Sequence, residues 1–449
     1  MTIEEFKSKI TGKKAAVVGI GVSNLPLIDF LLSCDAEVVA CDKKAREEFA
    51  NTAEVLESKG VILKLGADYL SDIDADVIFK SPGIRPDIPE FEEARKKGAV
   101  VTSEMELFFE LCPCEKIAVT GSDGKTTTTT LIGEMLKKQG YNCYIGGNIG
   151  KPLIGEVEKM TADDKAILEL SSFQLFTMKK SPEIAVITNL SPNHLDWHKG
   201  YDEYIEAKEN IMKFQSDENL LVVNSDNEIT AQIGEKAKGK KRSFSSTKNA
   251  EVCLKDGGIY CCGKKIIDAS DIKIPGAHNV ENYMTAIAAA YDYVSDETIE
   301  YVAKNFGGVE HRIEFVREVG GVKFYNDSIA SSPTRTIAAL KSFEQKLILI
   351  AGGYDKKIPF DELGYKINEK VKELVLVGHT AQKIKDAVES AGDDTNITVC
   401  DEFEQAIITA YKKAVPGDVV ILSPACASFD LFKNFMIRGN KFKEIVNNI

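Results

Sequence analysis

The sequence predicts an α/β protein of three domains: a Rossmann-like N-terminal domain, a central P-loop-type domain and a C-terminal Rossmann-like α/β domain. Three observations carry this. Short apolar runs alternate with helix-compatible stretches, the pattern of parallel sheets with helices on their faces. The loop Gly121-Ser122-Asp123-Gly124-Lys125-Thr126-Thr127 sits between an apolar strand candidate and a helix candidate. At 449 residues the chain is too long for one ordinary core.

The first block, 1–103, opens with a buried-strand pattern at 13–19, then Gly19-Ile20-Gly21 and an apolar helix over 25–32. Residues 37–40 read as the next strand, ending at Cys41-Asp42, and 76–79 as another, running into Ser81-Pro82-Gly83. This matches half of a dinucleotide fold, except that Asn24 takes the place of the third glycine in G-x-G-x-x-G. Asp42, ending the second strand, suits a ribose hydroxyl. A degenerate G-x-G alone leaves NAD chemistry compatible but unsupported.

The second block, 104–308, holds the glycine loop, with a strand over 116–119 and a helix over 129–138. Backbone N–H groups at such a helix start cradle polyphosphate. Lys125 would reach the outer phosphates and Thr126 would set a hydroxyl on magnesium. The eight-residue P-loop pattern is not met, because its first glycine falls at Val119; the loop is a shortened variant. Further strands are expected over 166–170 and 184–189. The first ends at Glu169 and the second leads to His194, so both groups are expected beyond the sheet, facing the loop, as ligands for divalent ions. His194 and His198 have the spacing of a zinc pair on a helix, but no third ligand accompanies them, and His194 alone is preferred. Lys208, on an amphipathic helix, reads by itself as a surface lysine. His278, Asn279 and Asn282 form a cap region before an alanine-rich helix. The basic run 238–242 reads as a solvated loop or helix end rather than a binding site.

The third block, 309–449, follows a hinge at Gly307-Gly308 and carries strand candidates at 346–352, 373–378 and 418–423. Composition bounds the partners. The chain is 44% hydrophobic and 28% charged, with a net charge of −13, which argues against nonspecific nucleic-acid binding. No apolar run approaches the roughly 20 residues of a bilayer span, and the N-terminus shows no signal-peptide pattern. The ten cysteines lack zinc spacing even at Cys112-Pro113-Cys114 and Cys261-Cys262, so free thiols and a cytoplasmic location are expected.

In order, T-G-x-x-G-K-T-T, E-L-S-S-F-Q, N-x-x-x-x-H-x-D, the A-K of Ala207-Lys208, H-N-x-x-N and Glu310-His311-Arg312 resemble the ATP-dependent Mur ligase superfamily over nearly the whole chain. That superfamily includes folylpolyglutamate synthetase. The C-terminal string Leu422-Ser423-Pro424-Ala425-Cys426-Ala427-Ser428-Phe429, with Phe435 and Arg438-Gly439, resembles its D-glutamate-adding branch. The Asp-Asn-Pro-Arg motif of the diaminopimelate-adding relatives is missing from the sequence.

The resemblance implies ATP-dependent joining of D-glutamate to UDP-N-acetylmuramoyl-L-alanine through an acyl phosphate, in cytoplasmic peptidoglycan synthesis. It implies a monomer without nucleic-acid or membrane partners, using ATP and two Mg²⁺ ions. Lys125, Glu169, His194 and Lys208 would be catalytic. Thr126, Glu169, His194 and a CO₂-derived carbamate on Lys208 would hold the metals. ATP would meet Gly121, Ser122, Asp123, Gly124, Lys125, Thr126, Thr127, Asn279, Asn282, Arg312 and Asp327. The UDP-substrate would meet Val22, Ser23, Asp42, Ser81, Pro82, Gly83, Asn148 and His194. D-Glutamate would meet Ser331, Lys356, Ser428, Phe429 and Phe435. One departure stands out: many family members carry lysine where this chain has Ile329, with Lys357 or Arg335 as candidate substitutes. A folate-adding ligase and a nucleotide-binding regulator without ligase activity are the competing expectations.

Overall fold

The computed structural model describes residues 1–49 and 51–449. Strands β1 (Lys14–Val18), β2 (Glu37–Asp42), β3 (Ile62–Leu65), β4 (Val77–Lys80) and β5 (Val100–Thr102) form an all-parallel sheet ordered β3-β2-β1-β4-β5. The turn after β1 explains the missing third glycine. Asn24 is buried and its Nδ2 donates to the Gly19 carbonyl at 2.8 Å, closing the turn with a side chain.

The second sheet contains β6 (Glu115–Thr120), β7 (Cys143–Gly147), β8 (Lys165–Glu169), β9 (Ile184–Ile187), β10 (Leu220–Asn224), β11 (Lys240–Ser245), β12 (Val252–Lys255), β13 (Gly258–Cys261) and β14 (Lys264–Asp268). Its order is β14-β13-β12-β11-β10-β9-β6-β8-β7, so β14 and β7 are the rims. From β7 to β12 all pairings are parallel, and β12 and β13 pair antiparallel. Ile117, Ala118 and Val119 on β6 are fully buried, as an unbroken apolar run between two helical layers requires. Burying each large aliphatic chain contributes roughly 1.5–3 kcal/mol. β6 lies between β8 and β9, and the chain crosses to opposite sides of it, so its carboxyl end is a switch point where ligands of open α/β sheets bind.

The third sheet contains β15 (Glu314–Val319), β16 (Val322–Asn326), β17 (Leu347–Ala351), β18 (Val371–Val377), β19 (Asn396–Cys400) and β20 (Val419–Leu422), ordered β15-β16-β20-β17-β18-β19. Only the β15–β16 pairing is antiparallel. Leu347, Leu349 and Ala351 enter one core cluster while Ile348 and Ile350 enter another, the two faces of one doubly covered strand.

Contacts divide the chain into two compact units, Met1–Ile267 with Asn282–Ile299, and Asp268–Glu281 with Glu300–Ile449. Inside the first unit, helix Asn24–Ser33 packs on the 3-10 segment Leu153–Lys159, and Leu27, Ile28, Leu153, Ile154 and Val157 share one buried cluster. Every strand expected from sequence is present within about two residues. The helix after the glycine loop starts at Lys125 instead of 129, because it runs straight out of Gly124 in the left-handed region at φ 77°. The basic run is a loop only at 238–239; contrary to expectation Lys240–Arg242 open strand β11, and Arg242 pairs with Asp292. All ten cysteines are free thiols. No helix among the described residues is long and apolar enough to cross a membrane.

Candidate active site

The loop from β6 into helix Lys125–Gln139 wraps closely around its neighbours. A Cβ on Gly121, at φ 142°, would stand 1.9 Å from Thr188 Oγ1. The amides of Ser122 and Asp123 donate to Asn189, at 2.8 Å to its carbonyl and 2.9 Å to Oδ1. The loop is thereby clamped to the chain after β9, with the amides of Ser122 and Asp123 already taken and the helix starting at Lys125, directly after Gly124. Lys125 Nζ folds back on the carbonyls of Gly121 and Ser122, both at 2.9 Å. Asn282 reaches the same loop: its Oδ1 accepts from Thr128 Oγ1 at 3.4 Å, and a Cβ on Gly124 would meet it at 2.4 Å.

Glu169, ending β8, is buried and accepts from Thr126 Oγ1 at 2.7 Å and Asn148 Nδ2 at 2.8 Å. Gly147 makes that approach possible, since a Cβ there would lie 2.2 Å from the Glu169 carbonyl. His194 adopts φ 54°, and its ring lies 4.9 Å from that of Phe173. Burial first, then the positive charges of Lys208 and Lys125, hold its pKa below the usual range, and Asp196 opposes them. The imidazole is thus kept neutral, the form that binds metal. His198 is buried against Ser172 Oγ at 3.0 Å and faces Glu203, the setting of a packing histidine.

Lys208 is not on the surface. Its residue is 2% exposed, and Nζ donates to Thr120 Oγ1 at 3.1 Å and the Gly121 carbonyl at 2.9 Å, beneath the phosphate loop. Burial, then the charge of Lys125, lowers its pKa well below 10.5, with Glu169 pulling the other way. The reading of Lys208 as an ordinary surface lysine fails because the amphipathic helix Tyr201–Lys213 turns it inward.

A cleft of about 230 Å³ opens beside these groups, walled by Val22, Ser23 and Pro82 from the N-terminal domain and by Gly147, Asn148, Ile149, Gly150, Pro152 and Gln174 from the central one. The Ser81–Gly83 turn is closed by the Ile84 amide on the Ser81 carbonyl at 3.0 Å. Asp42 accepts from the amides of Ile20 at 2.7 Å and Lys44 at 3.0 Å, and so shapes the loop after β1. Gln174 went unassigned from sequence, although E-L-S-S-F-Q contains it. It also completes a capping box with Ser171.

In the second unit, Asp327 is fully buried, accepts from Ser423 Oγ at 2.7 Å and has its pKa pushed up to about 7 by desolvation. Ser423, the Ile313 amide, Arg312 and Arg335 hold it down. Asn279 Nδ2 donates to the Pro275 carbonyl at 2.6 Å. Lys356 Nζ lies 3.2 and 3.3 Å from the carbonyl and hydroxyl of Ser331. Ser428 is buried and Phe429 is 64% exposed, its ring 5.9 Å from that of Tyr354. Phe435 opens the last helix, and its carbonyl accepts from Ser328 Oγ at 2.8 Å. At the departure point, Arg335 Nη1 donates to the Ile329 carbonyl at 3.2 Å, whereas the Lys357 amide is bound to Asp355 in a left-handed turn. Arg438, quoted in the C-terminal string, carries no role in the sequence reading. Its buried guanidinium binds the carbonyls of Ser328, Cys426 and Ala427, tying the ends of β16 and β20 together.

A mainly parallel sheet with a clamped glycine loop at its switch point, a hydroxyl-bonded carboxylate and a buried lysine has the layout of a phosphate-binding α/β site. Three family models match in order: Mur ligase MurD-like, N-terminal domain, over residues 13–103; Mur ligase middle domain, over 119–290; and Mur ligase, glutamate ligase domain, over 311–426. The chain is 55% identical to the UDP-N-acetylmuramoylalanine–D-glutamate ligase of Acetivibrio thermocellus, covering 100% of this chain and 99% of that one. It is 54% identical to the ligase of the same name from Clostridium kluyveri, covering 99% of each. Among solved structures it resembles UDP-N-acetylmuramate-alanine ligase MurC from Thermotoga maritima, at 19% identity and TM-score 0.60 over 97% of this chain and 99% of that one. MurF from Acinetobacter baumannii follows at 16% identity and TM-score 0.57 over 99% and 93%. This chain belongs to the Mur ligase family.

Proposed function

We propose that the chain joins D-glutamate to UDP-N-acetylmuramoyl-L-alanine in peptidoglycan synthesis, converting ATP to ADP and phosphate. The observation that carries this is the cleft running from Pro82 to Asn148, which hydrogen-bonds Glu169 at the edge of the phosphate loop. A uridine substrate held at the Ser81–Gly83 turn, Val22, Ser23 and Asp42 would extend its alanyl carboxylate toward Asn148 and His194. The carboxylate oxygen attacks the γ-phosphorus of ATP, giving an acyl phosphate and ADP. The amine of D-glutamate then attacks the acyl carbon, phosphate leaves with the C–O bond electrons, and the proton lost by the nitrogen ends on the departing phosphate or in solvent.

Two anions must meet in the first step. At ~4 Å and an effective dielectric of about 20, each unit-charge pair costs roughly 4 kcal/mol. Lys125 offsets this once phosphates replace the two carbonyls it now binds. Thr126 and Glu169 supply hard oxygen donors, to which His194 adds a borderline nitrogen; the two oxygens suit Mg²⁺, which typically takes one or two carboxylates and fills its shell with phosphates and water. Among the described residues no group of three His, Cys, Asp or Glu is placed to hold a metal. When bound, the ions neutralise charge on the transferring phosphoryl group. Lys208 fits the carbamate: a buried, neutral amine adds to CO₂ and releases a proton, which yields an anionic ligand beneath the loop. Asn279, Asn282, Arg312 and Asp327 would hold the nucleotide. Lys356, Ser331, Ser428, Phe429 and Phe435 would hold D-glutamate, and Arg335 would supply the cation that Ile329 does not.

The test is phosphate release by the purified chain with ATP, Mg²⁺ and UDP-N-acetylmuramoyl-L-alanine, scanning D-glutamate, L-glutamate and other amino acids. Release with D-glutamate alone is expected. Release with none, despite ATP binding, would sink the proposal.

A further inference from the structure

Arg85 lies two residues beyond the Ser81-Pro82-Gly83 turn and has no part in the chemistry above. Arginine carries five N–H donors in a rigid fork, and here all five are engaged. Nε and Nη2 bind Asp87 at 2.8 and 2.9 Å. Nη1 and Nη2 bind Glu203, both at 3.0 Å, and Nη1 also meets the Trp197 carbonyl at 2.9 Å. The guanidinium carbon stands 4.8 Å from the Trp197 ring centroid and 5.3 Å from that of Phe176. No donor remains for a phosphate, so Arg85 is not a ligand of the UDP group. Nor is it an ordinary surface pair of small worth. Its side chain is 19% exposed, and the Arg85 charge holds the Glu203 carboxyl down to about 2.

What Arg85 joins is informative. Trp197 Nε1 donates to the Gly83 carbonyl at 2.9 Å, so the turn expected to hold uridine hangs on the indole. The amides of Trp197 and His198 donate to the His194 carbonyl, both at 3.1 Å. Glu203 sits in the first turn of the helix that carries Lys208. Its neighbour Tyr204 shares a 2.8 Å hydrogen bond with Ser122 Oγ of the phosphate loop and lies under Lys208 Nζ at 4.9 Å. From these contacts we infer that Arg85 is a positioning residue that transmits occupancy of the UDP-substrate turn to the His194 loop and to the helix bearing Lys208. The inference rests on the ligase reading above. Lysine cannot replace Arg85, because a point charge neither bridges two carboxylates nor stacks in a fork.

The experiment compares wild type, Arg85→Ala, Arg85→Lys and a control, Lys7→Ala. Lys7 also bridges the first two domains, through Glu158 at 2.8 Å, but away from the cleft. For each, kcat, the KM of all three substrates, the half-saturating Mg²⁺ concentration, the Tm and the emission of Trp197, the chain's single tryptophan, are measured with and without UDP-N-acetylmuramoyl-L-alanine. Both Arg85 variants are expected to raise the KM for the UDP-substrate and the Mg²⁺ requirement about tenfold, within the range of coupled sites. They are also expected to lower kcat, leave the KM for D-glutamate unchanged and lose the substrate-induced change in emission. Lys7→Ala should match wild type. Arg85 variants that merely melt earlier, with wild-type kinetics and emission response, overturn the inference. If wild type releases no phosphate with D-glutamate yet shows an emission response that Arg85→Ala abolishes, the ligase reading falls and the coupling stands.

Discussion

Lys208 shows what burial does to a single residue. Its folded-state pKa lies below the roughly 10.4 of an unfolded lysine. Between those two values the native chain binds fewer protons than the unfolded one, so this group makes stability rise with pH across that window. Lys208→Met is therefore expected to raise Tm in CO₂-free buffer, more at pH 7 than at pH 10, while abolishing phosphate release. Equal Tm changes at both pH values would count against a neutral buried amine. Lys125, Thr126 and Glu169 were legible in the sequence because strand, loop and helix fix them locally. The burial of Lys208, which the family resemblance singles out without placing it, and the bonding of Arg85 were not. The inward turn of one lysine and three of the five bonds around one arginine are made by segments about a hundred residues apart.

At the scale of elements, the phosphate loop depends on a close approach between the ends of β6 and β9. Gly121→Ala would drive a methyl group into Thr188 and force a non-glycine residue to φ 142°. The expected result is at least a tenfold weaker affinity for a non-hydrolysable ATP analogue by calorimetry, with secondary structure retained in circular dichroism. Unchanged affinity would mean the loop has another way to close. Sequence periodicity located these strands within about two residues, since apolar runs bounded by glycine and polar turns mark buried parallel strands. It misplaced the helix start, because a helix nucleated on the loop needs no apolar residue in its first turn.

At the scale of the molecule, the cleft has walls from two domains, so a ligand that fills it links them. UDP-N-acetylmuramoyl-L-alanine at 100 times its Kd should stabilise the folded chain by about 2.7 kcal/mol. UDP alone, lacking the part that reaches Asn148, should raise Tm less at the same concentration. Equal shifts would place the recognition wholly on the N-terminal domain. The order of domains was legible in the motifs, but the shared cluster of Leu27, Ile28 and Ile154 that fuses the first two was not, since apolar residues carry no label for their partner. The rim strand β14 has its own consequence. It begins with Lys264 and Lys265, both solvent-exposed, and Lys264 is tethered to Asp296. A strand from a second copy docking there would strip water from these ammonium groups, and desolvating each charge costs several kcal/mol. The widest sheet of the protein thus carries its own guard against edge-to-edge aggregation in a crowded solution.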